Sequence, residues 1–317
     1  MISIIIPVFN KSRYVEMTLN SIQTQTFDNW ECIIIDDNST DASFEVIQNH
    51  VKGDFRFKIL KNDINRGACY CRNQGLSAAN NDYIIFLDAD DYLFIDCLKK
   101  RLNKFNDKPS ADFLVFPTGT FQKKIGDCEM IWNNFLGNHL NRFLAHDIPW
   151  VICSVIWKKS FLKNIGGFDE LFPRLQDVEL HTKALSFTKN YYVFQDYNPD
   201  SFYRIDDRRI IDKLKFLQND IDGKILFIKK MNNKYPYNRF LKGTLFESLS
   251  NVLLFYRKDH IIQNDFKKLI KKVLSIEYTS KLGNFDFFVL RVYVFLGYYK
   301  VYINGMNKIF KSLLIRK

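Results

Sequence analysis

Apolar runs and polar breaks alternate through the first hundred residues. Residues 2–8 form a continuous apolar run of strand-forming side chains, and residues 13–24 then place Val15, Leu19 and Ile22 at helical spacing. A second strand over 31–35 stops at Asp36-Asp37. Ser39, Thr40 and Asp41 follow as strong capping residues ahead of a helix carrying Phe44, Ile47 and Val51. Residues 57–60 read as a short strand and 68–79 as a helix entered through Asn65-Arg66-Gly67; a buried strand over 83–87 and a helix over 98–105 complete the series. Strand–helix alternation of this kind predicts an α/β fold, a mostly parallel sheet with helices on both faces.

The pattern then changes. A strand is predicted at 113–116, followed by a less regular stretch holding Trp132, Trp150 and Trp157, whose rings suit core positions first and stacking on a ligand second. A helix is predicted over 177–187. Beyond residue 207, Ile210, Leu214, Leu217, Ile221, Ile225 and Ile228 step by three or four, as do Ile262, Phe266, Leu269, Val273 and Ile276. The predicted division is an α/β domain over 1–205 and a basic, mainly helical region over 206–317.

Charge sharpens that division. The 317-residue chain is 47% hydrophobic with a net charge of +11. Residues 1–199 carry 22 Lys and Arg against 24 Asp and Glu, whereas residues 200–317 carry 24 against 11. The positive excess of the last third points to an anionic partner there. No nucleic-acid reading motif accompanies it, so nucleic acid is not the expected partner. Lys267, Lys268, Lys271 and Lys272 crowd one side of an amphipathic helix. Such a helix either lies on an anionic membrane surface or packs on the main domain with its lysines solvated. The most apolar tract, 285–303, is broken by Asp286, Arg291 and Lys300 and is too short to span a bilayer. No secretory leader is expected from the opening residues, and six cysteines without paired spacing are expected to be reduced thiols. The expected location is cytoplasmic, with peripheral attachment to the inner face of the membrane as the use of the basic region.

In parallel sheets ligands bind beyond the carboxyl ends of the strands. Asn10, Asp36, Asp37, Asp88 and Asp90 all fall at or just past such ends. If the strand over 83–87 continues, alternation points Asp88 and Asp90 the same way. Paired carboxylates suit a hard divalent cation, Mg²⁺ or Mn²⁺, that completes its shell with substrate phosphates and water. A diphosphate-bearing substrate follows. A polar turn after a strand is the plainer reading of the same triplet.

Six motifs in fixed order carry a family resemblance. They are Ser3–Asn10 (SIIIPVFN), Ile33–Asp41 (IIIDDNSTD), Asn65-Arg66-Gly67 through Cys71-Arg72-Asn73-Gln74-Gly75, Asp88-Ala89-Asp90-Asp91, Gly166-Gly167-Phe168-Asp169-Glu170 and Gln176-Asp177-Val178-Glu179-Leu180. Over roughly residues 1–205 the chain resembles the family 2 glycosyltransferases of the GT-A, Rossmann-like fold. The resemblance implies a nucleotide-diphosphate sugar donor (UDP-linked is expected), a divalent metal, Mn²⁺ or Mg²⁺, and inversion at the anomeric carbon. It implies that Asp37 accepts from the uracil N3–H with Asp36 beside it, that the Pro7 backbone lies against the base, and that Asn10 belongs to the donor site. Arg72 would pair with the donor or brace the aspartates, Asp90 would be the principal metal ligand, and Asp88 would meet the ribose or the metal's water shell. Asp177 matches the catalytic base that deprotonates the acceptor hydroxyl. Gly167, Phe168 and Gln176 would shape the acceptor side, for a glycan or lipid-linked glycan. Gln176 stands where many members have Glu, and Asp206 stands where the family's Tyr-Arg-x-His segment ends in His. The glycine-rich phosphate loops of sugar nucleotidyltransferases and dinucleotide oxidoreductases do not follow the first strand. A non-catalytic nucleotide-sugar or glycan-binding protein on the same fold is the alternative.

Overall fold

The computed structural model describes residues 1–205, 212–301 and 305–315; Asp206 and Ile210 lie outside the described residues. In chain order the strands are β1 (Ile2–Val8), β2 (Trp30–Asp36), β3 (Phe57–Lys61), β4 (Tyr83–Phe86), β5 (Tyr92–Leu93), β6 (Phe113–Val115), β7 (Thr118–Phe121), β8 (Ile131–Trp132), β9 (Val155–Lys158), β10 (Tyr191–Val193) and β11 (Ser201–Arg204). Seven of them form the main sheet in the order β10-β6-β9-β4-β1-β2-β3. All run parallel except β9, which is antiparallel to both β4 and β6. The sequence pattern anticipates the mostly parallel sheet. It misses the reversed strand, because the short run Val155–Lys158 carries no signal of direction.

β1 lies in the middle of the sheet, so its apolar side chains are buried on both faces. Helices α1 (Val15–Gln23), α2 (Ser43–His50), α3 (Ala68–Ala78) and α4 (Cys97–Asp107) follow successive strands as predicted. α3 lies close to the sheet. A Cβ on Gly75 would stand 2.4 Å from Ile5 Cγ2, so only a residue without a side chain fits there. Trp150 and Trp157 are fully buried, which is the core reading of those rings, while Trp132 packs edge-on against Tyr203. Five cysteines are buried, Cys128 is half-buried, and all six are free thiols.

A second sheet, β5-β11-β7-β8, is built from strands too short for their pattern to be read. A buried ion pair ties it down. Arg101 on α4 donates to both carboxylate oxygens of Asp200, at 3.0 and 2.5 Å, and also to the Cys153 carbonyl and Ser201 Oγ.

The described chain falls into two units. The first gathers Met1–Leu136, Pro149–Glu170 and the residues from Lys183 to the end of β11, including both sheets and α6 (Lys159–Asn164). The second gathers Gly137–Ile148, Leu171–Thr182 and the described residues beyond 211. The second unit is helical: α5 (His139–Leu144), the start of α7 (Gln176–Phe187), α8 (Lys213–Lys234), α9 (Leu241–Arg257), α10 (Gln263–Leu274), α11 (Glu277–Ser280), α12 (Asn284–Tyr298) and α13 (Met306–Ile315). Leu217, Ile221, Ile225 and Ile228 of the predicted stripe are buried along α8. Burial holds His181 in its neutral form, with a pKa lowered to about 3. Burial and then the Lys224 ammonium do the same for His146, again to about 3.

Two stability predictions follow from these groups. Arg101→Met leaves Asp200 buried without its guanidinium and should cost about 3–5 kcal/mol, seen as a lower urea midpoint; a loss below about 1 kcal/mol would contradict the burial argument. The two histidines have folded pKa values below their unfolded ones, so the unfolded state binds protons first. Their contribution is intact above pH ~6.5 and is lost toward pH 3, at up to about 1.4 kcal/mol per pH unit for each histidine. His181→Phe should therefore move the acid-unfolding midpoint to lower pH, and an unchanged midpoint would count against it.

Candidate functional site

The site begins where β1, β2 and β4 end side by side. Val8 pairs with Asp36 in register, and the Asp37 N–H donates to the Val8 carbonyl. Leu87 N–H donates to the Ile5 carbonyl, which carries the β4 end alongside. Pro7 pairs with Ile35 in this ladder. Asn10 and Asn38 both take positive φ, 53° and 59°, a conformation asparagine tolerates better than most side chains. Asn10 Oδ1 accepts from the Thr40 N–H at 2.8 Å, fastening the turn before α2 to the end of β1.

The two neighbouring aspartates differ. Asp37 Oδ1 accepts from Asn62 Nδ2 (2.8 Å) and the Arg66 N–H (2.9 Å), and Oδ2 accepts from the Gly67 N–H (2.7 Å). Gly67 has φ +87°, which glycine adopts without strain, and this aims its N–H at the carboxylate. Asp37 thus fixes the loop that enters α3. Burial, with the Asp37 charge second, pushes the nearby Cys71 thiol up to about 12, so it stays protonated. Asp36 is fully buried. Its Oδ2 accepts from the Ser39 N–H at 3.2 Å, while Oδ1 has no hydrogen-bond partner among the described residues.

The acidic triplet departs from the expected geometry. β4 ends at Phe86, and Asp88–Asp91 is a turn in which the Asp91 N–H donates to the Asp88 carbonyl at 3.0 Å. Strand alternation therefore does not orient these side chains. Asp88 and Asp90 each meet a cation. Arg72 Nη2 donates to Asp88 Oδ1 at 2.6 Å, and the Lys11 ammonium is ion-paired with Asp90, whose side chain is only 1% exposed. Asp91 Oδ1 accepts from the Arg204 N–H at 3.0 Å, and Arg204 Nε donates to the Asp90 carbonyl at 3.1 Å. Thr18 Oγ1 closes the turn by donating to the Asp91 carbonyl.

Gly167 and Phe168 come to the same neighbourhood. The Phe168 ring is buried edge-on against Phe86, and the Arg72 guanidinium lies 5.2 Å from its centroid. Asn73 holds the turn through the Phe168 N–H (2.8 Å), the Phe168 carbonyl and Glu170. Gly167 has φ +59°, and a Cβ there would stand 2.6 Å from Asn73 Oδ1. Pro7, Asn10, Asp36, Asp37, Arg72, Asp88, Asp90, Gly167 and Phe168 thus all belong to the first unit. Gln176 and Asp177 stand in the first turn of α7 in the second unit, where Asp177 Oδ1 accepts from the Val178 N–H at 2.9 Å.

Lys11 and Arg204 are site residues that motif reading passed over. The signal for Lys11 was its place, a cation one residue past Asn10 at the end of a strand flanked by acids. Arg204 stands inside the Tyr203-Arg204-Ile205-Asp206 segment, whose departure from the family pattern is at Asp206.

Comparison with known proteins decides the class. The model for "Glycosyl transferase family 2" matches residues 3–163, just over half of the chain. The chain belongs to this family. A Campylobacter jejuni relative, "GalNAc(5)-diNAcBac-PP-undecaprenol beta-1,3-glucosyltransferase", is 37% identical over 181 residues, 54% of this chain and 55% of its own. Four other curated relatives match over 31–64% of their own length, so the chain spans less than two-thirds of each. Staphylococcus aureus TarS 1–349 in complex with UDP-GlcNAc superposes with a TM-score of 0.65 at 17% identity, covering 99% of this chain and 90% of that one. A Pyrobaculum calidifontis mannosyltransferase in complex with GDP-Man and Mn²⁺ does so at 0.56 and 14%, covering 99% and 84%. These likenesses establish the GT-A-like fold with a helical C-terminal region.

The donor set at the turn suits a hard cation, since Asp90 and Asp88 offer carboxylate oxygens. Among the described residues no three His, Cys, Asp or Glu side chains form a metal cage, so an ion there would draw the rest of its shell from substrate oxygens and water. It would also compete with Lys11 for Asp90. Lys11→Met should therefore tighten Mn²⁺ binding, by about tenfold if the competition is worth about 1.4 kcal/mol. Calorimetric titration of the ligand-free protein reads this directly, and equal affinities would remove Lys11 from the cation site.

Proposed function

We propose that this family 2 glycosyltransferase is an inverting enzyme that moves a sugar from a UDP-linked donor to a hydroxyl of a glycan or lipid-linked glycan, acting on the cytoplasmic side of the membrane. Its catalytic region is residues 1–205. The observation that supports the donor site most is the gathering of Pro7, Asn10, Asp37, Asp88 and Asp90 at and just past the adjoining ends of β1, β2 and β4, where ligands bind to parallel sheets.

In this reading Pro7 and Asp37 flank the uracil, the carboxylate accepting from N3–H, while Asn10 shapes the adjoining turn. Arg72 turns from Asp88 toward the donor phosphates, and Asp88 is then available to the ribose or to a metal-bound water. Asp90 would hold a divalent cation, Mn²⁺ or Mg²⁺, which when bound supplies positive charge against the diphosphate leaving group. The backbone of the Gly167-Phe168 turn and the Gln176 amide contact the acceptor. Asp177 accepts the proton of the acceptor hydroxyl as its oxygen bonds to the anomeric carbon and the bond to the diphosphate breaks. Because the attack comes from the face opposite the leaving group, the configuration inverts.

A screen of nucleotide sugars for divalent-dependent release of nucleoside diphosphate tests donor, metal and class together. With the donor in hand, Asp177→Asn should lower kcat about 10²- to 10⁴-fold while leaving the donor Kd unchanged. Unaltered turnover would assign the base elsewhere. Donor binding by the natural protein without release under any condition would favour a non-catalytic binder.

A further inference from the structure

The basic amphipathic helix, expected either to lie on a membrane or to pack with its lysines solvated, is α10, and the fold accounts for its apolar face internally. Phe266, Leu269, Ile270 and Val273 are buried, and their lysines are left to solvent. The unused apolar surface lies instead on α12. Phe285, Phe288, Phe295 and Tyr299, at the end of the helix, are 58%, 64%, 61% and 62% exposed. At 100° per residue, Phe288, Phe295 and Tyr299 fall within about 40° of one another, with Phe285 and half-buried Val292 beside them. The stripe runs the length of the helix, about 22 Å.

The opposite face of α12 is fixed. A Cβ on Gly297 would stand 2.2 Å from Leu253, so the helix lies close against α9. The Tyr293 hydroxyl bonds Ser250 and Asn307, and Asp286 is paired with Lys242 at 2.7 Å. Rotation to hide the rings would break all of these. Asp286 is the one acid on α12 and it is buried, so the exposed face carries no negative side chain; Arg291 stands at its edge. Residues 212–315 carry 19 Lys and Arg against 8 Asp and Glu.

We infer that the aromatic face of α12 seats in the interfacial layer of an anionic membrane. Aromatic rings on one face, with Arg291 at its edge and a net positive charge over residues 212–315, match the headgroup boundary of an anionic membrane. A second copy of the chain is the poorer occupant, because a two-fold contact would set Arg291 against the Arg291 of the other copy. No helix among the described residues is long and apolar enough to cross a membrane, so the contact lies in the plane. The inference stands on the helix itself and not on the donor or acceptor chemistry.

The test uses the full chain and vesicles of phosphatidylcholine with about one-third phosphatidylglycerol, read by flotation. The natural protein should float with these vesicles and bind pure phosphatidylcholine far more weakly. Phe288→Ser combined with Phe295→Ser, both on exposed positions, should weaken flotation at least tenfold with circular dichroism and melting unchanged. Equal flotation of the double variant would overturn the assignment to α12. So would a natural protein that ignores vesicles, including one that forms a dimer which the double variant dissolves.

Discussion

Carboxylates gathered at the ends of neighbouring parallel strands repel one another unless positive charge or N–H donors stand among them. The partners of Asp37, Asp88, Asp90 and Asp91 answer that constraint. Asp37 is satisfied by neutral donors from the loop entering α3, and Asp91 by the Arg204 backbone. Asp88 and Asp90 are satisfied by side-chain cations, Arg72 and Lys11. The distinction matters, because a backbone donor cannot leave whereas a lysine or arginine head can swing away on its stem. The carboxylates that shape the loop are held by fixed partners. Asp88 and Asp90 are held by side-chain cations instead.

Further hydrogen bonds cross-link this end of the first unit. Arg204 stitches β11 to the acidic turn, Thr18 stitches α1 to it, and Asn73 locks the Gly167-Phe168 turn onto α3. Phe168 is buried and serves as a platform beneath Arg72, so a residue matched to the acceptor side by motif also supports the donor-side cation. Substitution of the ring would be felt by Arg72 before any sugar is bound.

Much of this was legible in the residues. The long apolar runs of β1 and β2, the helical stripes of α1 and α8, and the clustering of acids at strand ends rest on local periodicity, and local periodicity survives folding. What was not legible depends on partners distant in sequence. The reversed β9 and the two- to four-residue strands of the second sheet take their place from neighbours rather than from their own pattern. Asp88 and Asp90 looked like alternating strand residues because nothing in the triplet shows that β4 stops at Phe86. The pairing of Lys11 with Asp90, 79 positions away, is made by the fold and leaves no local pattern. Residues 171–182, with Asp177 among them, group with the second unit through packing that no motif records.

The two basic-region helices show how far composition alone can mislead. α10 has the stronger amphipathic pattern, yet its pattern is consumed by packing on α9, as an ordinary surface helix requires. α12 is apolar nearly all round, which by pattern alone argues for complete burial. The fold instead buries one face with Tyr293 and Gly297 and leaves phenylalanines on the other. Evenly distributed hydrophobicity on a half-buried helix therefore marks the surface that lacks a partner. The pronounced lysine face of α10 marks the one that has already found its own.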